Sequence, residues 1–436
     1  MHRNIHPVAV FWDQSHVWGL ICLDTLTRYC APFHLVSAAE IASGCLDRYR
    51  VLVVPGGWAS HKVQALGVEG KNRIEDFIRS GGSYLGLCGG AGLAMASPPS
   101  LGMVSLKRMP FAERLANASG RVLVRGNPDH PAWKDLSPNL PVSVWWPSQF
   151  AEGGCPGVLS LATYAEPGED FCVADLPLED LLQHDVDWCE WEKSYGINLN
   201  PGKLMGHTAI NEVPLGRGRL ILSYPHLETP GDSWGNRLFL NILAYLDGES
   251  SHARACREHP EVPRSRFDSR PGRGTLRHVA GMRDAADALI AFGERQMLWQ
   301  WRHPWLLRWR RGIRGLEYGT LAVMARALFQ AVHTAEDSGG AADPWQESAA
   351  DLARKTGEFC ELSRRLLLEE KLATQNGKIQ KLGSVNLAVD GLRKELFGSG
   401  MSAEGSFKTV LDGMCDFLLQ ILRLSPGRGG RVYPRE

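Results

Sequence analysis

Residues 81–92 read Gly-Gly-Ser-Tyr-Leu-Gly-Leu-Cys-Gly-Gly-Ala-Gly, and this stretch decides the fold of the first half of the chain. Ser83 to Leu87 form a short apolar run that is typical of a buried strand, and the small residues after Cys88 favour a closely packed helix. Glycines on both sides of Cys88 permit a sharp strand-to-helix turn, where a Cβ atom would collide with the backbone. The sequence therefore predicts a cysteine held on a tight turn.

Cys88 also lies where the predicted helix begins. The unpaired N–H groups and the dipole of a helix N-terminus favour a thiolate, which is the nucleophilic form of cysteine. A motif of the form Gly-x-Cys-x-Gly is equally compatible with a turn that serves packing alone. A catalytic interpretation needs a base and an oxyanion hole elsewhere in the chain.

The candidate base is His226, which follows the apolar run Leu220–Ser223 and the strand-ending Pro225. Glu228 lies two residues further on, and on extended backbone the two side chains leave the same side. Glu228 could then orient the imidazole while His226 faces the nucleophile, as in a catalytic triad. An isolated His-x-Glu is more often a surface pair at a strand end.

The candidate oxyanion loop is Pro55-Gly56-Gly57-Trp58, which follows the apolar run Val51–Val54. The backbone N–H of Gly57, together with that of Gly89, would make a two-donor oxyanion hole. Gly56 and Trp58, in the same loop, are predicted to line the substrate site. Taken alone, Pro-Gly-Gly is also an ordinary turn.

Together these motifs resemble the class I glutamine amidotransferase fold and, more closely, the family named after the N-terminal domain of biotin–protein ligase. The resemblance extends over residues 1–247 and is carried by residues 8–13, 53–57, 83–92, 161–164, 216–219 and 225–228.

The resemblance implies a nucleophile at Cys88, a base at His226 and an orienting carboxylate at Glu228. In class I amidotransferases the cysteine attacks the side-chain amide of glutamine, forms a thioester and releases ammonia. Leu227 departs from the class I pattern, which usually has proline between the histidine and the glutamate. This substitution keeps the spacing but loosens the restraint on the backbone.

The order of predicted elements indicates an α/β domain over residues 1–249. Strands are predicted at Val8–Trp12, Phe33–Val36 and Val51–Val54, separated by helical segments such as Lys71–Arg79. This order predicts a flavodoxin-like, doubly wound and mainly parallel sheet whose strand ends carry the site. Residues 121–218 are expected to add antiparallel strands at one edge, with an insertion at Asp185–Tyr195 near the mouth of the site or as a surface loop.

The second half of the chain has a different character. Residues 250–274 are rich in arginine and proline and are predicted to be a linker, and residues 425–436 a flexible tail. Residues 275–424 are predicted to form an all-α helical bundle, with long helices near 276–301, 304–335, 344–374 and 407–424. Trp305 and Trp309 share a helical spacing with later apolar residues and are predicted to lie on one buried stripe. Asp343 is expected to cap the third helix.

Composition narrows the classes of function. The 436 residues carry no net charge, so no nucleic-acid partner is expected, and the start of the chain resembles no export signal. No apolar run is long enough to span a membrane, so a cytoplasmic location is expected. The ten cysteines lack CxxC spacing and are predicted to be reduced thiols, without a metal or other cofactor.

One basic stretch allows two interpretations. Residues 251–316 hold fourteen Arg, no Lys and six acidic residues, interleaved with tryptophans. The stretch could bind a polyanion or an anionic membrane, or it could be a linker followed by an amphipathic helix with its arginines in water. The shared stripe of tryptophan and aliphatic residues favours the second interpretation.

Three functions are compatible with the sequence. The first is a Cys-His-Glu amidase acting on glutamine or a similar carboxamide, with any ammonia acceptor on another protein. The second is a related cysteine hydrolase acting on peptides or other small amides. The third is a scaffold that binds a ligand or partner without catalysis, in which the helical domain contacts the protein partner.

Overall fold

The computed structural model describes residues 6–151, 157–248, 265, 269–337, 343–376, 383–399 and 403–424. The chain divides into two compact units, Met1–Glu261 and Val262–Glu436. Of the predicted linker 250–274, only residues 265 and 269–274 are described, and the predicted tail 425–436 lies outside the described residues.

Within the described residues, the strands of the N-terminal unit join one eleven-stranded sheet. In chain order they are β1 (Val8–Phe11), β2 (Phe33–Val36), β3 (Val51–Val54), β4 (Ser83–Leu87), β5 (Ala118–Gly126), β6 (Asn139–Trp145), β7 (Leu159–Pro167), β8 (Cys172–Val173), β9 (Leu176–Pro177), β10 (Thr208–Leu215) and β11 (Gly218–Ser223). The helices are α1 (His16–Arg28), α2 (Ala38–Ala42), α3 (Ala59–Arg79), α4 (Gly89–Ala94), α5 (Leu178–Leu182), α6 (Trp188–Tyr195) and α7 (Ser233–Gly248).

The predicted fold class is confirmed by the strand order. Strands β2, β1, β3, β4 and β11 are neighbours in that order, and all four pairings between them are parallel. Every residue of β1, β3 and β4 is buried, as expected for strands covered by a layer on each face. This is a flavodoxin-like order within a mixed sheet.

The antiparallel strands predicted for residues 121–218 are confirmed and continue the sheet beyond β11. Strands β10, β7, β5, β8 and β9 follow in that order, and β6 pairs with β5 on the other side. The register pairs Ile210 with Ser223 in β10 and β11, and Val122 with Val142 in β5 and β6. The predicted insertion at Asp185–Tyr195 contains α6, whose residues are all at least partly exposed.

Helix α3 is longer than predicted. It begins at Ala59 rather than near Lys71, and Gly67 interrupts it with a left-handed φ of 58°. Two glycines in this stretch obscure the helical periodicity in the sequence, because glycine is the least favourable helix former after proline.

The C-terminal unit is helical, as predicted. Its elements are α8 (Arg273–Arg295), β12 (Trp299–His303), β13 (Leu306–Trp309), α9 (Gly315–Ala335), α10 (Gln346–Asn376), α11 (Leu387–Phe397) and α12 (Gly405–Arg423). None of the described helices has the length and apolar character needed to cross a membrane. The cytoplasmic location stays a prediction.

The helical assignment of residues 299–309 was wrong. These residues form an antiparallel hairpin in which Trp299 pairs with Trp309, so Trp305 and Trp309 do not continue a helical stripe. Tryptophan favours strands as well as buried helix faces, and a spacing of four residues does not separate the two over so short a segment. Trp299 instead packs against Tyr318 of α9, with ring centroids 5.3 Å apart.

Asp343 caps the start of α10 as predicted, because its carboxylate interacts with the backbone N–H of Trp345, and it has a second role. Its carboxylate accepts hydrogen bonds from the backbone N–H and the hydroxyl of Thr275, at 2.9 and 2.7 Å. Thr275 lies in the first turn of α8, so Asp343 caps a helix distant in sequence as well as preceding α10.

Candidate functional site

Cys88 occupies a strained turn between β4 and α4. Its φ of 48° and ψ of −103° lie in a region that residues with a side chain rarely adopt. The backbone holds it there, because the Cys88 N–H donates to the Ser223 carbonyl at 2.7 Å and its own carbonyl accepts from the Gly92 N–H at 3.0 Å. The predicted tight turn is confirmed.

The glycines around Cys88 are required by close packing. A Cβ atom on Gly89 would lie 2.0 Å from the carbonyl oxygen of Gly57, and one on Gly90 would lie 1.9 Å from that of Val54. The elbow therefore packs directly against the loop that follows β3, and this contact brings the two predicted oxyanion donors side by side. Among the described residues, the N–H groups of Gly57 and Gly89 have no backbone acceptor.

His226 and Glu228 follow β11 and are completely buried, each with 0% exposure. Nδ1 of His226 lies 2.8 Å from Oε1 of Glu228. Because Nδ1 faces the carboxylate, the buried Nε2 is the ring nitrogen left to interact with Cys88, and it has no other partner among the described residues. Cys88, His226 and Glu228 thus lie together in the order that the sequence predicts.

Hydrogen bonds compensate for the absent proline at position 227. The His226 N–H donates to the Ser143 carbonyl at 2.8 Å, and Nδ2 of Asn236 donates to the Leu227 carbonyl at 2.9 Å. The hydroxyl of Thr229 also donates to the His226 carbonyl at 2.8 Å. Asn236 of α7, Thr229 and strand β6 therefore restrain this turn in place of a proline.

The charge of His226 depends on its two neighbours. Burial on its own would lower the pKa of the imidazole, but the negative charges of Glu228 and Cys88 outweigh burial and raise that pKa from 6.5 to about 10. The carboxylate of Glu228 therefore favours the protonated form of His226. The thiolate is the form of cysteine that attacks a carbonyl carbon, and a histidine beside it is the partner that nucleophilic catalysis by cysteine uses.

Trp18 is a site residue that the sequence analysis missed. Its indole stacks on the ring of His226, with centroids 4.2 Å apart and planes 25° apart. Gly56 lies against the same two rings, since a Cβ there would come within 2.9 Å of Trp18 and 3.2 Å of His226. The sequence signal that could have indicated a role for Trp18 is its position in the first turn of α1, the helix that follows the carboxyl end of β1.

Trp58 is the N-cap residue of α3 and is half-buried. Its ring centroid lies 5.6 Å from that of His16 and 5.9 Å from that of His61. Gly57 beside it has a φ of 111°, and a Cβ there would overlap the Gln14 carbonyl at 2.4 Å. The roles assigned to Gly56 and Trp58 in substrate binding stay predictions.

Two arginines and two tyrosines that interact with Cys88 or with α4 were also missed by the sequence analysis. Arg114, Tyr164 and Tyr224 all interact electrostatically with Cys88, and Arg108 lies against Gly92, one helical turn further along α4. They come from the segment after α4, from β7 and from the end of β11. Nothing in their local sequence indicates that they meet.

The described residues contain no cluster of three or more His, Cys, Asp or Glu side chains suited to a metal ion. Eight described cysteines are free thiols; Cys88 is partly accessible, and Cys30 and Cys189 are exposed. The predictions for Cys155 and Cys256 lie outside the described residues.

The segment that contains the first strands of the sheet matches the model of a known protein family. Residues 22–97 match the family model described as "Biotin-protein ligase, N terminal". This segment runs from α1 through the Cys88 elbow, so the resemblance inferred from the sequence is confirmed there. No curated protein matches the chain.

Solved structures with similar folds share little sequence with the chain. A protein described as ThuA-like from Bacteroides uniformis is 11% identical, with 58% of this chain and 96% of that chain covered and a TM-score of 0.37. A glutamine amidotransferase from Thermotoga maritima is 14% identical, with 57% and 100% covered and a TM-score of 0.31. A protein described as a GMP synthase component from Thermoplasma acidophilum is 13% identical, with 56% and 96% covered and a TM-score of 0.36. The flavodoxin-like fold of the N-terminal unit is carried by its strand order and agrees with the family match over residues 22–97.

Proposed function

We propose that the N-terminal unit hydrolyses a carboxamide, glutamine or a similar amide, through a cysteine thioester. The observation that carries this proposal is the buried His226–Glu228 pair, which interacts with Cys88 on a strained turn. A buried ion pair is at best a weak source of stability, and backbone strain concentrates at functional sites. Catalysis accounts for both features.

The reaction has two halves. The Cys88 thiolate attacks the amide carbon, and the N–H groups of Gly57 and Gly89 bind the oxyanion. The imidazolium of His226 donates its proton to the leaving nitrogen, so ammonia departs and a thioester remains. Neutral His226 then takes a proton from water, which attacks the thioester, releases the carboxylic acid and restores the Cys88 thiolate. Glu228 keeps the ring oriented throughout and stabilises its positive charge.

The sequence of the helical half shows no Gly-rich phosphate loop, so we place any ammonia acceptor on a separate protein. We propose that the helical unit contacts that partner. No nucleic acid takes part in this function.

Ammonia release tests the proposal. The protein is incubated with glutamine and simple amides, and ammonia is measured for the wild type, Cys88→Ala and the matched control Cys189→Ala, whose thiol is exposed and distant in sequence. We expect release by the wild type and the control and none by Cys88→Ala. Release that survives Cys88→Ala would remove the thiol from the mechanism.

The same experiment separates the alternatives. Release from short peptides but not from glutamine would favour a cysteine hydrolase of peptides. Absence of release from every amide, with no labelling of Cys88 by an amide-mimicking electrophile at neutral pH, would favour a binding scaffold.

A further inference from the structure

The stack between Trp18 and His226 has no role in the mechanism above. The ring centroids lie 4.2 Å apart and the planes differ by 25°, so the indole covers one face of the imidazole. Both residues are buried, Trp18 at 6% exposure and His226 at 0%. Trp18 meets Trp146 edge to face, at 6.3 Å and 69°, but it presents its face to His226. A face presented at this distance is the arrangement in which an aromatic ring attracts a cation.

The hydrogen bond to Glu228 does not fix the imidazole by itself. Oε1 of Glu228 lies 2.8 Å from Nδ1 of His226, and a single contact of this kind leaves the ring free to tilt about it. A ring that stacks on a second ring is restrained in its plane. The bond to Glu228 and the contact with Trp18 together therefore define where the buried Nε2 points.

Gly56 closes one edge of the stack. A Cβ on this residue would lie 2.9 Å from Cγ of Trp18 and 3.2 Å from Cε1 of His226, so neither ring has room to turn towards the loop after β3. The φ angle of Gly56 is not left-handed, in contrast to that of Gly57. The missing side chain at position 56 therefore serves this contact rather than the conformation of the backbone.

The start of α1 is held by a buried lysine. Lys62 is 0% exposed, and its Nζ donates to the Ser15 hydroxyl at 2.5 Å and to the Asp13 carbonyl at 3.3 Å. Gln14 and His16, on either side of Ser15, have left-handed φ angles of 59° and 48°. Backbone strain of this kind persists only where the surrounding structure enforces it, and it concentrates at functional sites.

Helix α1 is also bonded to the segment that carries the His226–Glu228 pair. The hydroxyl of Thr25, about two helical turns beyond Trp18, donates to the Glu228 carbonyl at 2.7 Å. The N–H of Trp18 donates to the Ser15 carbonyl at 3.0 Å. The backbone of Trp18 is thus anchored on both sides of the stack, which is how a functional side chain is preorganised.

We propose that Trp18 is a positioning residue, whose indole face fixes the plane of the His226 ring and stabilises the protonated ring that donates to the leaving nitrogen. The attraction between a cation and an aromatic face is strongest where both are removed from water. The titratable groups that act on His226 are Glu228 and Cys88, and the indole adds to their effect without a charge of its own. The inference rests on the proposed amidase function and adds a residue that acts through His226.

The test follows the protonation of His226 directly and does not require amide hydrolysis. The histidine rings are isotope-labelled, the NMR signal of His226 is identified by its loss in His226→Gln, and its titration is compared in Trp18→Phe and Trp18→Leu. Phenylalanine keeps an aromatic face, whereas leucine has a similar size without one. We expect the midpoint of the His226 titration to lie about one pH unit lower in Trp18→Leu than in Trp18→Phe, a change of about tenfold in proton affinity.

Ammonia release gives a second readout. At saturating glutamine it should be about tenfold slower in Trp18→Leu than in Trp18→Phe, with kcat changed more than KM, because fewer molecules hold a protonated and correctly oriented ring. Trp234→Leu, which removes an exposed tryptophan from α7, is the matched control and should behave as the wild type. Equal titrations of His226 in Trp18→Phe and Trp18→Leu would show that Trp18 only fills space and would overturn the proposal.

Gly56→Ala covers the case in which Trp18→Leu folds poorly. This variant keeps both rings and places a Cβ against each of them. A His226 titration midpoint below that of the wild type supports the proposal, and an unchanged midpoint overturns it.

The two proposals fail in different ways. A lower midpoint in Trp18→Leu than in Trp18→Phe, without ammonia release from any amide, would refute the amidase and leave the role of Trp18 standing. Ammonia release that requires Cys88, with equal titrations and equal rates in the two Trp18 variants, would do the reverse.

Discussion

Replacing Glu228 by glutamine tests the source of the charge on His226. The substitution keeps the shape of the side chain and removes its charge. In the native protein burial opposes the imidazolium, and Glu228 is the larger of the two negative charges that raise the pKa of His226 to about 10. Without Glu228 burial is less strongly opposed, so we expect the pKa of His226 to fall towards or below neutrality.

The expected loss follows from the role of the imidazolium. At pH 7 the variant would hold less His226 in the protonated form, so fewer molecules could donate a proton to the leaving nitrogen. Removal of the orienting carboxylate in triads and of general acid–base groups lowers kcat by about 10²–10⁴-fold. We expect a loss in this range for ammonia release.

The assay is the pH dependence of ammonia release and of Cys88 alkylation. In the wild type, the protonated His226 should persist until the pH approaches 10. In Glu228→Gln the alkaline decline should move to lower pH and the rate of alkylation at neutral pH should fall. Glu69→Gln serves as the control, because Glu69 is exposed and pairs with Arg73 on the surface of α3. An unchanged pH profile in Glu228→Gln would refute the idea that Glu228 sets the charge of His226.

The remaining predictions concern stability. Because the folded-state pKa of His226 is raised above 6.5, its protonation contributes stability that is fully present below pH 6.5 and is lost as the pH rises through about 10. The free energy of unfolding, measured with urea, should therefore decline across this pH range in the wild type and decline less in Glu228→Gln. A wild-type free energy of unfolding that does not change with pH would contradict this prediction. Gly89→Ala should destabilise the protein by about 1–3 kcal/mol and abolish ammonia release, because the new Cβ would lie 2.0 Å from the Gly57 carbonyl oxygen. Gly281→Ala on α8, where a Cβ meets nothing within 4 Å, is the control and should stabilise by up to about 1 kcal/mol, as measured by urea unfolding. Wild-type stability in Gly89→Ala would show that the elbow and the loop after β3 are less closely packed than the structure indicates.

Parts of the site that depend on local sequence were predictable. Strands β2, β3 and β4 begin and end where the apolar runs predict, because glycine, proline and polar residues mark their ends. The placement of Cys88 and of His226 at carboxyl ends of neighbouring parallel strands follows from the α/β order. The pairing of His226 with Glu228 follows from a spacing of two residues.

Features that depend on contacts across the fold were not predictable. Trp18 reaches His226 because α1 contacts the segment after β11, where the hydroxyl of Thr25 also donates to the Glu228 carbonyl. The hairpin at residues 299–309 shares its local pattern with a helix. The capping of α8 by Asp343 joins residues 68 positions apart.

The sequence by itself determined an α/β domain with a cysteine elbow, a glycine-rich loop and a His-x-Glu pair. Backbone sterics and strand periodicity act over a few residues, so their effects can be recognised in short sequence motifs. Only the tertiary structure decided what surrounds Cys88. Arg108 and Arg114 come from the loop after α4, Tyr164 from β7 and Trp18 from α1, and their charge, burial and stacking arise when these elements pack around one thiol.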